Sequence, residues 1–152
     1  MKNQLTTLLS LLFTVLIISA AVPACGQNRH DSLEITAAIR NYVDAIYEKD
    51  TSRIYTSVDP VLAKRGYSRR DGKWTESTMS FKQLVQIAAT WRRSERKLLV
   101  PEITIFDILD HTASAKLKAD WGIDYFHLSK SSGSWKIYNV MWQSHPVIHK
   151  QN

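Results

Sequence analysis

Four polar side chains interrupt strand-like, mostly apolar stretches in the second half of the sequence: Asp107, Asp124, His127 and Asn139. A carboxylate or imidazole enclosed by apolar and aromatic side chains has a shifted pKa, because burial disfavours its charged form. Such a group can take or give a proton near neutral pH. Asp124, His127 and Asp107 are therefore the candidate catalytic residues for a reaction that needs no metal.

The same residues also have a purely structural interpretation. Asp124 lies just after a glycine, where its carboxylate can cap a bulge. In the same stretch His127 shares a strand face with Tyr125, whereas Phe126 and Leu128 share the other face. If Phe126 and Leu128 point into the core, His127 points to solvent and cannot act inside a pocket. The orientation of this strand therefore decides whether His127 can act in a pocket or whether the strand has only a structural role.

Aromatic and basic side chains supply candidate contacts for a small ligand. Aromatic rings can wall a pocket, although large rings also dominate protein cores. The candidate ligand-binding residues are Tyr42, Lys64, Arg65, Trp91, Trp121, Asn139 and Trp142. No metal site and no cofactor is predicted. Only His145 and His149 have the i, i+4 spacing of a helical metal pair, and Pro146 between them argues against a helix.

The basic charge is concentrated in residues 64–97. This segment contains ten basic and three acidic residues, a net charge of +7, whereas the whole chain carries +6. A small anionic ligand or anionic lipid headgroups fit such a segment, and a solvated basic face is an equally good explanation. Nucleic acid is not expected as a partner, because an exported protein rarely meets it. Strong catalytic motifs are absent from the sequence: it has no HExxH, CxxC, Gly-rich phosphate loop or nucleophile elbow.

The N-terminal stretch predicts export. A positive residue precedes about 14 nearly uninterrupted apolar residues, which is typical of a signal peptide and short for a membrane span. Small residues then allow cleavage after Ala24. Alternatively, the Val22–Cys25 run resembles a bacterial lipobox, which would make Cys25 a lipidated first residue. We favour the lipoprotein, because Cys25 is the only cysteine and an odd exported cysteine otherwise needs a partner. The predicted location is the bacterial periplasm or its membrane surface.

The remaining residues, 31–143, predict one α+β domain, with residues 25–30 as a tether and 144–152 as a tail. Asp31 and Ser80 open capping-box patterns, each followed by apolar residues at helical spacing. A short helix is expected between them, followed by a hairpin turn at Asp71-Gly72. From about residue 103 the pattern changes to period two, and three further strands follow. Helices followed by such a meander indicate helices packed on a curved antiparallel sheet.

Several of these runs resemble a known family. They are residues 42–50, 59–65, 113–116, 124–130 and 135–142, and together they extend over most of the predicted domain. They resemble the putative lumazine-binding proteins of the nuclear transport factor 2-like (SnoaL-like) superfamily. The resemblance implies a cone of helices and a strongly bent sheet with a pocket inside. It implies no single reaction, since the superfamily includes both enzymes and proteins without catalytic activity.

Three functions are compatible with these observations. The leading hypothesis is an exported, non-catalytic protein that binds a small, anionic molecule or acts as an accessory. The second is a metal-independent isomerase, dehydratase or hydrolase that uses Asp124 or His127 as its base. The third is a structural module that forms a homodimer or binds a partner through the convex sheet. Lys116, Lys118 and Tyr138 are expected on that surface.

Overall fold

The computed structural model describes residues 23–92 and 100–145. Most of the predicted signal peptide, residues 1–22, lies outside them, and so do residues 146–152 of the predicted tail. The chain divides into two compact units, residues 1–31 and 32–152. The sheet and the candidate site both belong to the second unit. In the described part of the chain, no helix is long and apolar enough to cross a membrane.

In the part of the chain that the structure describes, three helices precede or interrupt the strands. They are α1 (Pro23–Glu48), α2 (Ser52–Ser57) and α3 (Phe81–Thr90). The start of α1 was predicted at Asp31, and the helix begins upstream at Pro23, a residue that the first helical turn accepts. The predicted capping box at Ser80 is confirmed. Its hydroxyl accepts from the Gln83 backbone N–H, and the Gln83 side chain accepts from the Ser80 backbone N–H.

Six strands form one curved sheet in the order β2-β1-β6-β5-β4-β3. Their bounds are β1 (Val58–Arg70), β2 (Lys73–Met79), β3 (Glu102–Ile108), β4 (Thr112–Ala119), β5 (Gly122–Ser131) and β6 (Ser134–Ser144). The α+β class is confirmed, but the sheet is mixed and not purely antiparallel. The long strand β1 runs parallel to β6, whereas the other neighbours are antiparallel. β6 also includes Ser144, which was predicted to begin the tail.

Two hairpins, including the predicted one at Asp71-Gly72, have the turns that their sequences favour. Asp71 and Gly72 join β1 to β2 with φ angles of 49° and 79°. Ser132 and Gly133 join β5 to β6 with φ angles of 52° and 81°. Positive φ at both central residues matches the right-handed twist of the flanking strands.

Alternation along β4 and β5 fixes which sheet face meets the helices. The alternate residues Ala113, Ala115, Leu117 and Ala119 of β4 are buried, as predicted. On β5, Asp124, Phe126 and Leu128 are buried, and Tyr125 and His127 are exposed. Phe126 and Leu128 therefore point into the core, together with Asp124, whereas His127 points outward.

The parallel pair β1 and β6 approach each other unusually closely at Gly66. Gly66 is the register partner of Trp142. A Cβ atom on Gly66 would lie 2.0 Å from the Trp142 carbonyl oxygen and 2.6 Å from Cδ1 of its indole ring. Both distances are below van der Waals contact, so the absent side chain of Gly66 makes room for Trp142.

Candidate functional site

A buried cluster of three polar side chains lies between α1 and the sheet. The Lys64 Nζ amine donates a hydrogen bond of 2.8 Å to the Tyr42 hydroxyl. The Tyr42 hydroxyl in turn donates to the Asp124 Oδ2 atom at 3.1 Å. The amine is also 3.5 Å from Asp124 Oδ1, which makes an ion pair. A lysine, a tyrosine and an aspartate therefore form a closed network, and each of them is less than one-tenth exposed.

Each member of the cluster comes from a regular element whose periodicity turns it inward. Tyr42 continues the apolar face of α1, which includes Ile35, Ile39 and Ile46. Lys64 shares the inward face of β1 with the buried Leu62 and Gly66. Asp124 shares the inward face of β5 with Phe126 and Leu128. The fold thus places three polar groups where strict binary patterning would place apolar ones.

Trp121 contacts the same carboxylate oxygen of Asp124 as Tyr42 does. Its indole Nε1 donates to Asp124 Oδ2 at 3.1 Å. Its ring makes edge contacts with Tyr42, Tyr47 and Trp91, with ring centroids 6.2, 5.7 and 6.1 Å apart. Tyr47 is anchored as well, since its hydroxyl accepts from the backbone N–H of Asp120 at 3.1 Å. Asp124 is therefore fixed by three side-chain donors, Tyr42, Trp121 and Lys64, and covered by aromatic rings.

Burial changes the protonation of the cluster. Burial raises the pKa of the Tyr42 hydroxyl well above its ordinary value of 10.0, and the neighbouring Asp124 carboxylate adds to the rise. Burial lowers the pKa of the Lys64 amine from its ordinary value of 10.5, while the Asp124 carboxylate opposes part of the fall. Tyr42 is thus a neutral hydroxyl at physiological pH. Lys64 gives up a proton more readily than a lysine in water.

A cavity of about 670 Å³ opens above this cluster. Its apolar walls come from α1, α3, β2, β6 and the turn between β4 and β5, and they include Ile46, Met79, Leu84, Ile87, Trp91, Trp121 and Trp142. Tyr42 and Lys64 lie at its base, and Lys64 Nζ is 5.6 Å from the centroid of the Trp142 ring. The volume falls in the range of small-molecule sites, which are mostly apolar with a few placed polar groups.

The hairpin of β1 and β2 supplies a polar rim to the same cavity. Ser68 and Arg70 of β1 and Thr75 and Ser77 of β2 line it, and all but Ser68 are exposed. Ser144 of β6 completes this side. The cavity therefore has two unlike sides. One side is aromatic and aliphatic, and the other carries hydroxyl groups and one guanidinium group near solvent.

Five of the seven predicted ligand-binding residues meet on this cavity: Tyr42, Lys64, Trp91, Trp121 and Trp142. The predicted catalytic residue Asp124 lies directly behind them and is fully buried. The other predicted site residues are not part of it. Arg65 is exposed on the opposite face of β1, because it follows the inward-facing Lys64 in a strand.

Asp107, His127 and Asn139 lie together on the outer face of the sheet. Cross-strand pairing aligns them in one row, Asp107 with Ser114, Ser114 with His127, and His127 with Asn139. Two β-bulges create the row. One bulge lies between Ile105 and Asp107 of β3, and it turns Asp107 outward. The other lies on β6 opposite His127 and Leu128, and it turns Asn139 outward. The row lines a separate groove of about 370 Å³.

The polar rim and the mutual contacts of the cluster were not predicted from the sequence. The rim residues lie on a hairpin, where alternation predicts only that one face turns inward. The Lys64–Asp124 contact joins residues 60 positions apart. One signal was available, since Lys64 occupies an inward position between Leu62 and Gly66 of a strand. A lysine there requires a buried partner.

Among the described residues, no three His, Cys, Asp or Glu side chains are grouped so that they could hold a metal ion. Trp142 Nε1 is a buried donor for which no acceptor is present in the described part of the protein.

Solved structures with the same architecture show how widely this fold occurs. An NTF-2 like protein of unknown function from Silicibacter pomeroyi superposes with a TM-score of 0.62 and 15% identity, covering 78% of this chain and 98% of that protein. An NTF2-like protein of unknown function from Shewanella baltica gives 0.60 and 20% identity, with coverage of 80% and 96%. One from Methylobacillus flagellatus gives 0.56 and 21%, with coverage of 77% and 94%. At these identities the likeness establishes the fold alone.

The sequence itself carries the family assignment. No curated protein gives a significant match to the chain. A family model described as "Putative lumazine-binding" matches residues 30–143, which include every strand but the last residue of β6 and all residues of the cavity but Ser144. Together with the curved sheet and its nuclear transport factor 2-like neighbours, this match shows that the chain belongs to the putative lumazine-binding family of the nuclear transport factor 2-like fold.

Proposed function

We propose that this protein binds a planar aromatic or heteroaromatic small molecule with an anionic or hydrogen-bonding arm. The observation that carries the proposal is the cavity of about 670 Å³ with its two unlike sides. Trp91, Trp121 and Trp142 offer ring faces and edges to a flat ligand. The arm would extend toward Arg70 and the hydroxyls of the rim, which can pair with a carboxylate, a phosphate or a polyhydroxyl chain.

A pteridine of the lumazine type that bears a polyhydroxyl or anionic arm meets these requirements, and the family description names lumazine. Its fused rings are flat, and its carbonyl oxygens and ring nitrogens can accept hydrogen bonds. Other fused aromatic acids meet them equally well. The proposal therefore concerns the shape and charge of the ligand, with lumazine as one probe among several.

Thermal unfolding with a panel of ligands tests this function. Lumazine, 2-naphthoate and indole-3-acetate are suitable probes, with cyclohexanecarboxylate as an anionic control that is not planar. A ligand at 100 times its dissociation constant stabilises the folded state by about 2.7 kcal/mol. We expect a shift for at least one planar probe and a smaller one for the control. No shift with any planar probe at millimolar concentration would contradict the proposal.

Variants then locate the binding site. Replacing a stacking side chain costs about 1–3 kcal/mol of binding free energy, so Trp91→Leu should weaken binding about tenfold or more. Trp74→Leu is the matched control, because Trp74 is exposed and does not line the cavity. Arg70→Gln should weaken anionic probes more than neutral ones. Equal loss in Trp91→Leu and Trp74→Leu would place binding outside the cavity.

We further propose that the protein acts outside the cytoplasm, as a periplasmic protein anchored by a lipid at Cys25. The support is the sequence of the N-terminal stretch, with its apolar run and its single cysteine. In this setting the cavity would bind a molecule of the cell envelope or one taken up from outside.

A second role, as a homodimer, is favoured by the outer face of the sheet. Phe106 and Tyr125 are stacked there with ring centroids 6.4 Å apart, and they are 55% and 49% exposed. Met141, the register partner of Tyr125, is 47% exposed. Exposed apolar groups grouped in this way are typical of interaction surfaces. Sedimentation of the wild type should show a dimer that Tyr125→Lys dissociates, and a monomeric wild type at high concentration would contradict this role.

A further inference from the structure

The amine of Lys64 is a nucleophile at the base of the aromatic cavity. Its side chain is 6% exposed, and it lines the cavity together with Tyr42. A buried lysine is costly unless it is paired, and the Asp124 carboxylate is 3.5 Å from this amine. A purely apolar residue at this position of β1 would satisfy the core without such a network. The cavity thus contains a group that simple binding of a flat ligand does not use.

We infer that Lys64 forms an imine with an aldehyde or ketone carried by the aromatic ligand. This inference rests on the proposed function, because the ring must occupy the cavity for its carbonyl carbon to reach Nζ. The substrate class is therefore an aromatic or conjugated carbonyl compound. Neutral lysine amines that are desolvated in apolar pockets react with carbonyls in this way.

The network provides a route for the protons of this reaction. The Lys64 ammonium passes a proton to the Tyr42 oxygen at 2.8 Å, while Tyr42 passes its own proton to Asp124 Oδ2 at 3.1 Å. The free amine then attacks the carbonyl carbon. A C–N bond forms, and the carbonyl π electrons move to oxygen, which takes a proton from the nitrogen.

Loss of water completes the imine and restores the network. The carbinolamine hydroxyl receives the proton stored on Asp124, which returns through Tyr42, and it leaves as water when the C–O bond breaks. The nitrogen lone pair forms the C=N bond. Overall, an ammonium and a carbonyl compound give an iminium ion and water, with charge conserved and no oxidant or reductant required.

The electrostatics of the cluster favour both the start and the end of this sequence. Burial lowers the pKa of Lys64, so its ammonium loses a proton to form the reactive neutral amine more easily than a lysine in water does. Burial and Asp124 raise the pKa of Tyr42, so its hydroxyl relays a proton without remaining ionised. The iminium ion keeps the positive charge that Asp124 already balances. Its nitrogen would lie near the Tyr42 and Trp142 rings, whose centroids are 5.4 and 5.6 Å from Nζ.

Reductive trapping tests the inference. The protein is incubated at neutral pH with 2-naphthaldehyde and sodium cyanoborohydride, which reduces an imine to a stable secondary amine, and the modified lysine is located by peptide mass spectrometry. We expect one early adduct, at Lys64 of the wild type. Lys64→Arg, which keeps the charge, should lose it, and the exposed-site control Lys82→Arg should retain it. Labelling that is spread over surface lysines, with Lys64 unmodified, would overturn the inference.

One positioning variant probes the proton route. Tyr42→Phe interrupts the relay between Lys64 and Asp124, and we expect adduct formation about 100-fold slower, the usual contribution of a positioned proton donor. The pH profile of the labelling rate should also move, because the variant amine exchanges protons only with the carboxylate. An unchanged rate and profile in a folded Tyr42→Phe protein would exclude the relay.

A non-reactive analogue separates this inference from the proposed function. The probe 2-naphthalenemethanol has the same ring and no carbonyl group. If the alcohol binds in the cavity and the aldehyde fails to label Lys64, the imine is excluded while the binding function stands. If neither probe binds, both fail. Because the adduct is mapped on the wild-type protein, the result does not depend on whether the Lys64 variants fold.

Discussion

The Lys64 amine and the Asp124 carboxylate are 3.5 Å apart, and 6% and 0% of their side chains are exposed. The Tyr42 hydroxyl bridges them with hydrogen bonds of 2.8 and 3.1 Å. A buried pair of this kind contributes little net stability, since desolvation of both charges offsets their attraction. Removal of one partner strongly destabilises the folded state, because the other charge is then left buried without compensation. The pair is therefore best explained as part of a site.

A double-mutant cycle measures this coupling. Asp124→Asn should lower the free energy of unfolding by about 3–5 kcal/mol, because it leaves the Lys64 charge unbalanced in the core. The double variant Lys64→Met/Asp124→Asn should be clearly more stable than the sum of the single changes, as judged by urea unfolding. Asp44→Asn is the control, since the Asp44–Arg53 pair is about a third exposed and should cost less than ~1 kcal/mol. Additivity within ~0.5 kcal/mol would mean that the pair is not coupled.

The pH dependence of stability should reveal Tyr42. At neutral pH, Tyr42→Phe should cost about 1–3 kcal/mol, because two buried hydrogen-bond partners lose the hydroxyl. The raised pKa means that the folded wild type keeps the phenol proton at pH values where the unfolded chain has released it. The stability from Tyr42 is thus fully present below its ordinary pKa of 10.0 and declines as the pH rises further. Urea unfolding from pH 7 to 11 should show the cost of the variant shrinking above about pH 10; a cost independent of pH would be inconsistent with this.

Gly66 should tolerate no side chain. In Gly66→Ala the new Cβ meets the Trp142 carbonyl oxygen at 2.0 Å, so β1 must move away from β6 or Trp142 must turn. We expect a loss of at least ~2–3 kcal/mol in chemical denaturation, together with weaker binding of aromatic probes. Gly72→Ala is the comparison, because its Cβ would meet nothing within 4 Å and only its φ of +79° is unfavourable, at a cost of about 1–2 kcal/mol. Equal costs would show that the strands can separate freely.

Sequence patterns predicted the framework better than the site. Alternation placed the buried face of β4 correctly, and the turn residues at Asp71 and Ser132 indicate two hairpins, because these are local effects of the pleat and of φ. For β5, alternation separated the two faces but left open which of them is buried. The pairing of β1 with β6 was not predicted, since parallel pairing joins distant segments and leaves no local signature. The outward orientation of Asp107 and Asn139 was missed for a related reason. A bulge shifts the inward and outward alternation of side chains by one residue, and no sequence pattern here indicates the position of a bulge.

The lipid anchor has a direct test. Expressed with its full N-terminal stretch in a bacterium, the wild type should partition into detergent with the membrane fraction, and Cys25→Ala should be recovered in the soluble fraction. Cys25→Ser serves as a second substitution that keeps the size of the side chain. Equal membrane association of all three proteins would exclude lipidation at Cys25. If all three are recovered in the soluble fraction, ordinary cleavage after Ala24 accounts for the sequence.

The proposed function requires a flat ligand in the cavity, and the five tryptophans of this chain report on its binding directly. Trp91, Trp121 and Trp142 line the cavity, whereas the exposed Trp74 and the buried Trp135 do not. Titration of ¹⁵N-labelled protein with lumazine or 2-naphthoate, followed by the indole N–H resonances, therefore contains its own controls. We predict that the signals of Trp91, Trp121 and Trp142 shift with one common dissociation constant while those of Trp74 and Trp135 stay in place. Shifts confined to Trp74, or no shifts at millimolar ligand, would contradict the account.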